Sequence, residues 1–201
     1  NGLAAWALPA SAVAKAKDLA RGQLIVVGRN SDDEAKVGTT VQFAGALDTL
    51  YAEAAAGATL GVSYAGGTPS LGLWAPTALE DPGVSVNVYG EDGALIETRP
   101  MTLDATTGVW SVTGDSDWDR KFYTFTLRVF SYATNSMVTN EVTDPYSVSL
   151  STDSVRSQFV DLQDSDLKPA GWESLAVPAL DAPEASVLYE LHGRERGREN
   201  V

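Results

Sequence analysis

The chain has 201 residues, 44% hydrophobic and 20% charged, enough to build a core in one good-sized domain or a domain with flanking pieces. Its 27 acidic and 14 basic side chains give a net charge of −13, which opposes binding to nucleic acid or an anionic membrane and leaves neutral partners unopposed. Cysteine is absent, excluding disulfides, zinc thiolates and thiol nucleophiles, and no apolar run approaches the roughly eighteen residues of a membrane span.

Asn1 to Pro9 has neither the basic start nor the full apolar core of a secretory leader. Ala12 to Arg21 predicts a helix, with Ser11 placed to cap its free amides and Gly22 to stop it. Gln23 to Gly28 is a β-branched run, Asn30-Ser31-Asp32-Asp33 a turn cluster, and Val37 to Phe43 a second strand able to pair with the first. Ala46 to Ala56 is alanine-dense and reads as a helix ended by Gly57. From Leu60 the pattern changes to short strands at about ten-residue spacing, each bounded by Gly, Pro, Asn or Asp. They are Leu60 to Ala65, Ser70 to Trp74, Val84 to Tyr89, Leu95 to Met101, Val109 to Val112, Lys121 to Phe130 and Met137 to Val142. Regular strands of this kind predict a β-sandwich. Gly66-Gly67, between the first two, lacks the lysine and following helix of a phosphate loop and reads as a hairpin turn.

Few residues offer chemistry. The one histidine, His192, stands beside a mixed arginine-glutamate tail and is a poor base for a nucleophilic triad. Glycoside hydrolysis needs two carboxyl groups about 5 Å or about 6.5–9.5 Å apart, and so many acids make candidate pairs uninformative. Asp115, Asp117 and Asp119 have the spacing of a calcium loop, but Arg120 replaces its glycine and Thr126 its last glutamate, so a solvated turn is the better reading. Asp161, Asp164 and Asp166 read as surface or helix-start residues. Aromatic rings are the natural platform for a sugar's apolar face. Trp74 and Trp110 sit within strand patterns and read as core; Trp118, in the acidic loop, is the candidate for an exposed carbohydrate contact. Trp172 reads as a staple onto a neighbouring surface.

The last quarter of the chain carries an ordered series of words: Thr143-Asp144-Pro145-Tyr146, Ser149-Leu150-Ser151-Thr152-Asp153-Ser154, Ser157-Gln158-Phe159-Val160-Asp161-Leu162, Leu167-Lys168-Pro169-Ala170-Gly171-Trp172 and Tyr189-Glu190-Leu191-His192. Together they closely resemble the junction of bacterial pullulanases, starch-debranching members of the α-amylase superfamily (glycoside hydrolase family 13). Further matches lie upstream, in Leu73-Trp74-Ala75-Pro76-Thr77-Ala78, Gly108-Val109-Trp110, Phe122-Tyr123, Ala44-Gly45-Ala46-Leu47-Asp48 and Tyr51-Ala52-Glu53-Ala54. Several words in order are far more specific than one motif.

The resemblance implies a mainly β fold: an immunoglobulin-like (E-set) sandwich of the starch-module type, carbohydrate-binding module family 48, with an N-terminal α/β flanking segment. A C-terminal connector would lead to a truncated (β/α)8 barrel. On this reading residues 1–57 are the tail of a preceding domain or a linker, 58–147 the sandwich, and 148–201 the connector and first barrel strand. His192 would stand on that strand. The family's nucleophilic aspartate and acid glutamate belong to later barrel strands, so the chain is expected to be inactive alone and to have no catalytic, cofactor or metal residues of its own. Its expected partners are the catalytic barrel and α-glucan (starch, pullulan or glycogen), without nucleic acid or a membrane span. The resemblance favours an extracellular or cell-surface place over the cytoplasm.

The pattern departs from the family in two places. Glucan-binding starch modules place tryptophans where this chain has Gly90-Glu91-Asp92-Gly93 and Thr139-Asn140-Glu141-Val142, and beyond His192 only Arg194 fits. The alternative to a supporting role is a self-standing carbohydrate-binding or protein-interaction module. A barrel strand buries both faces against neighbours, so residues beyond about Pro169 are expected to lack a settled place without them.

Overall fold

The computed structural model describes residues 9–42, 44–176, 179–180 and 182–189. They divide into two compact units, one ending at Asp161 and the other beginning at Leu162.

The first unit opens with two short helical turns, α1 (Ala10–Val13) and α2 (Ala16–Leu19). The expected single helix is broken at Lys15, whose φ and ψ of −107° and 13° leave the helical region. Ser11 does not cap it: Pro9 occupies the cap position and Ser11 lies inside α1. The second turn is instead held by tertiary contacts, since the Lys17 ammonium donates to the carbonyl oxygens of Ala105 (2.7 Å) and Thr106 (3.2 Å) and lies over the Tyr51 ring. The hairpin of β1 (Ile25–Arg29) and β2 (Ala35–Thr40) pairs antiparallel as expected, closed by Asn30, whose side-chain oxygen accepts from the amides of Asp32 and Glu34. Its Ile25, Val26, Val27 and Val37 are exposed. Helix α3 (Ala44–Ala55) turns Tyr51 inward, 2% exposed.

The sandwich follows. One sheet runs β3 (Gly61–Ala65), β4 (Thr68–Trp74), β8 (Val109–Thr113), β7 (Thr102–Asp104). The other runs β10 (Ser136–Val142), β9 (Phe122–Ser131), β5 (Ser85–Tyr89), β6 (Leu95–Pro100). All pairings are antiparallel. Gly66 and Gly67 form the two-residue turn between β3 and β4, both at positive φ (58° and 80°), the geometry of the hairpin turn that matches strand twist.

The expected strand Leu95 to Met101 stops early. Pro100 has no amide to continue the ladder, the Met101 amide bonds the Val84 carbonyl (2.8 Å), and the chain then crosses to the other sheet as β7. Alternation along the strands fills the space between the sheets with Leu71 and Leu73 from β4, Val86 and Val88 from β5, Trp110 from β8, and Tyr123 and Phe125 from β9.

The core does not close at β10. The chain bends back and adds β11 (Ser157–Gln158) to the edge of β9, pairing Ser157 with Tyr123. This puts Phe159 into the core at 0% exposure, its ring 5.1 Å from Trp118 and 4.4 Å from Tyr123. The sandwich's packing thus reaches Val160, past the boundary at 147 expected from the sequence.

The second unit contains only short 3-10 turns among its described residues: Ser165–Leu167, Trp172–Ser174 and Pro183–Ala185. Lys168 bonds Gln163 (2.9 Å) and Glu173 (2.5 Å) across the first two of them. Glu190, Leu191 and His192, expected on the first barrel strand, lie outside the described residues.

Candidate functional site

Two places concentrate specific geometry: the clasp that seats the connector on the sandwich, and the acidic loop around Trp118.

The clasp is built from the sequence words themselves. Asp144 is buried at 4% exposure; its Oδ2 accepts from the Tyr123 hydroxyl (2.7 Å), its Oδ1 from the Tyr146 amide (2.8 Å), and its own amide donates to Ser157 Oγ (2.8 Å). Ser147 and Ser157 join through their hydroxyls, and Ser149 bonds Gln158 by hydroxyl to carboxamide (2.8 Å) and by carbonyl to amide (2.9 Å). Burial pushes the Asp144 carboxyl above its ordinary range, although its bonds from Tyr123 and Tyr146 pull the other way. Burial, with the neighbouring Asp144 charge, raises the Tyr123 phenol as well. A carboxylate satisfied in this way is a lock, since removing either partner strands a buried polar group.

The Trp118 expectation is overturned on one point. The residue is 1% exposed, so its ring offers no open face for a sugar. The acidic neighbourhood suggests solvent, but the side chains on either side do the covering. Trp118 closes the 3-10 turn Ser116–Trp118, its Nε1 donates to Glu97 Oε1 (2.6 Å), and the Arg99 guanidinium lies 4.5 Å over its ring. Gly114 makes room for it, because a Cβ there would meet the indole at 2.3 Å. The three loop acids face different partners: Asp115 takes Arg99 (2.6 Å), Asp117 takes Lys121 (2.8 Å), and Asp119 accepts from the Tyr64 hydroxyl (2.9 Å). The hydrogen bond from Arg99 holds the Asp115 carboxyl below its usual range.

The other candidates separate. Trp110 is buried and Trp74 half-buried, with indole donors bonded to the carbonyls of Ala75 (3.1 Å) and Thr107 (2.9 Å). Trp172, in the second unit, is 58% exposed. Asp161 ends the first unit, and Asp164 and Asp166 lie at the 3-10 turn Ser165–Leu167. Where tryptophans would be expected in the last strand, Glu141 instead accepts from Tyr89 (2.5 Å) and Thr124 (2.7 Å), which lower its carboxyl below the ordinary value.

Sequence reading overlooked Tyr132. It follows β9 two residues after Phe130, the same-face spacing of a strand, and the two rings meet edge to face at 5.2 Å. Tyr132 is exposed and borders a cavity of about 470 Å³ that is also lined by Arg21, Thr40, Gln42 and Leu47.

The chain as a whole has relatives among known proteins. A family profile described as the Pullulanase N2 domain matches residues 1–49. A pullulanase from Klebsiella pneumoniae is 39% identical over 196 residues, covering 96% of this chain and 18% of its own length. The crystal structure of PulA from Klebsiella oxytoca matches with a TM-score of 0.76 at 41% identity, over 80% of this chain and 15% of that one. The Klebsiella pneumoniae pullulanase complexed with maltotriose also matches at a TM-score of 0.76, with 38% identity over 80% of this chain and 15% of its own. The chain therefore spans less than a fifth of the length of these relatives, in their N-terminal part.

Proposed function

This chain belongs to the pullulanase family as a stretch of its N-terminal region, and we propose that it serves there as a non-catalytic support for the α-1,6-glucosidase barrel. The observation that carries this reading is the contrast within the connector. Its first half is seated in the sandwich through Ser157 and Phe159, while beyond Asp161 the large apolar side chains Leu162, Leu167, Trp172, Leu175, Leu180 and Leu188 are all exposed. Apolar groups gathered in this number on a short segment call for a covering surface. In a pullulanase the barrel is the neighbour that this part of the chain leads into. Pullulan, starch or glycogen would be the substrate of the whole enzyme, and the maltotriose held by the Klebsiella pneumoniae relative is of that chemical class. Chemistry on the α-1,6 bond would then fall to residues of the barrel.

The test mixes this chain with the catalytic part of the Klebsiella pneumoniae relative, prepared without the matching stretch. Co-elution on size exclusion and a rise in reducing sugar released from pullulan are expected, with no release by this chain alone. Failure to co-elute, or hydrolysis by the chain alone, would overturn the reading. The alternative, a self-standing carbohydrate-binding or protein-interaction module, predicts starch retention without any barrel contact. Trp118→Ala is unsuited to testing it, because that change opens the core.

A further inference from the structure

We propose that the sandwich itself, and not only the chain beyond Asp161, carries a seat for the barrel, made by Tyr146, Val148 and Leu150; this deepens the supporting role above and rests on it. The observation is a row of side chains that crosses the second sheet. Val88 on β5 stands opposite Tyr123 on β9, Tyr123 opposite Ser157 on β11, and Ser157 opposite Leu150. Residues directly opposite one another share a face of the sheet, so the row belongs to the core side. Its first three members are 0% exposed, whereas Leu150 is 45% exposed. The row therefore runs past the cover that closes the core. That cover is the first sheet, in which β3 is an edge strand. Its first residue, Gly61, abuts Tyr146, for a Cβ there would meet the Tyr146 Cβ at 2.9 Å.

The alternation along this segment is the reverse of that on an ordinary surface strand. Its serines bond back to the protein: Ser147 joins Ser157 through the hydroxyls, Ser149 Oγ donates to Gln158 (2.8 Å), and Ser151 Oγ accepts from the Arg156 amide (2.9 Å). The apolar residues among them, Tyr146, Val148 and Leu150, are 38%, 60% and 45% exposed. Polar groups turned in and apolar groups turned out mark a surface that a neighbour covers.

Charge and area choose the neighbour. A second copy of the chain would bring −13 against −13, and three side chains offer on the order of a few hundred Å², far below the roughly 1,600 Å² of a stable interface. A body joined to the chain needs much less area, because the tether makes the contact intramolecular. In the relatives this stretch is under a fifth of the length and lies in the N-terminal part, so most of the polypeptide follows it. The barrel is the tethered body that the connector leads into. Residues 145–152 carry no charge, so the barrel patch that meets them is apolar and uncharged as well; an unpaired charge set there would lose its water without compensation.

The test titrates the full chain with the catalytic part of the Klebsiella pneumoniae relative, prepared without the matching stretch, and follows amide chemical shifts and affinity. Shifts are expected at residues 146–150. Leu150→Ser is expected to weaken binding by about tenfold, the scale of one leucine left uncovered, and Val148→Ser by somewhat less. Both should melt as the native chain does, since neither side chain is in the core. Val27→Ser, at the same 45% exposure but on the β1–β2 hairpin, is expected to leave the affinity unchanged. The proposal alone is overturned if the native chain binds and Leu150→Ser and Val148→Ser bind as well as it does, if Val27→Ser weakens binding equally, or if the chain by itself forms a dimer that Leu150→Ser dissolves. If the native chain does not bind at all, the supporting role falls and this seat falls with it.

Discussion

Phe159 and Leu175 stand in one connector, yet the first is fully enclosed and the second is 70% exposed. Both halves of that connector are mixed polar and apolar sequence built on short turns, so local propensity does not separate them. What differs is the neighbour. The earlier half finds the open edge of β9 and the gap beside Trp118 and Tyr123; the large apolar side chains of the later half are exposed. Burial in such a segment is decided by the surface it meets, and a segment rich in exposed leucine is suited to a surface supplied by another body.

The largest test of this contrast is Phe159→Ala. It removes a fully buried ring from between two aromatic neighbours and should cost about 3–5 kcal/mol, read from urea denaturation of the first unit. A loss no larger than that of a surface change would mean that the connector is not seated in the core. Leu175→Ala is its counterpart and is placed last because its expected effect is the smallest.

Asp144→Ala comes next, with an expected loss of about 1–3 kcal/mol from stranding the Tyr123 hydroxyl and the Tyr146 amide. The same residue gives a pH signature. Burial raises its carboxyl above the ordinary 3.8, so the folded chain holds the proton more tightly than the unfolded chain does. The stabilisation from that proton is complete below the unfolded value and is lost as pH rises through the folded one. Urea midpoints of the native chain, measured relative to Asp144→Asn, should therefore fall across that window, and a constant difference would refute the burial account.

Gly67→Ala should cost about 1–2 kcal/mol, because it forces a Cβ into a left-handed turn at φ 80°. A thermal melt with no shift would show that the hairpin relaxes into another turn. Leu175→Ala should change stability by less than about 0.5 kcal/mol, yet weaken capture of the barrel in the co-elution assay. Equal stability losses at Leu175 and Phe159 would erase the distinction between the two halves.

Strand spacing was legible because Gly, Pro and Asn punctuate it and because alternation along Val84, Val86 and Val88 marks a core face. The hairpin at Gly66-Gly67 was legible for the same reason, a two-residue gap that needs positive φ. Trp118 was not, since its neighbours are acids and only the fold shows that Glu97 and Arg99 arrive from another strand to cover it. Phe159 was hidden in a word that marks a junction, and no local pattern says that a junction returns to the sheet it has left. The N-terminal helix was overread: alanine favours helix everywhere along it, but Lys17 is drawn to the carbonyls of Ala105 and Thr106, which decides where the second turn sits. The cavity beside Tyr132 needed the segment around Arg21 and Gln42 to be brought beside β9, information that lies between elements and not within them.

The return of the chain onto β9 also fixes an order of assembly. β9 and β10 leave the ribosome ahead of Ser157 and Phe159, so the nascent sandwich has an open side between Trp118 and Tyr123 until the connector has emerged. The sandwich becomes whole only when the chain has committed to leaving it. Closure of the core thus waits for the junction to emerge, and whatever follows Asp161 emerges only after its foundation has the residues needed to close.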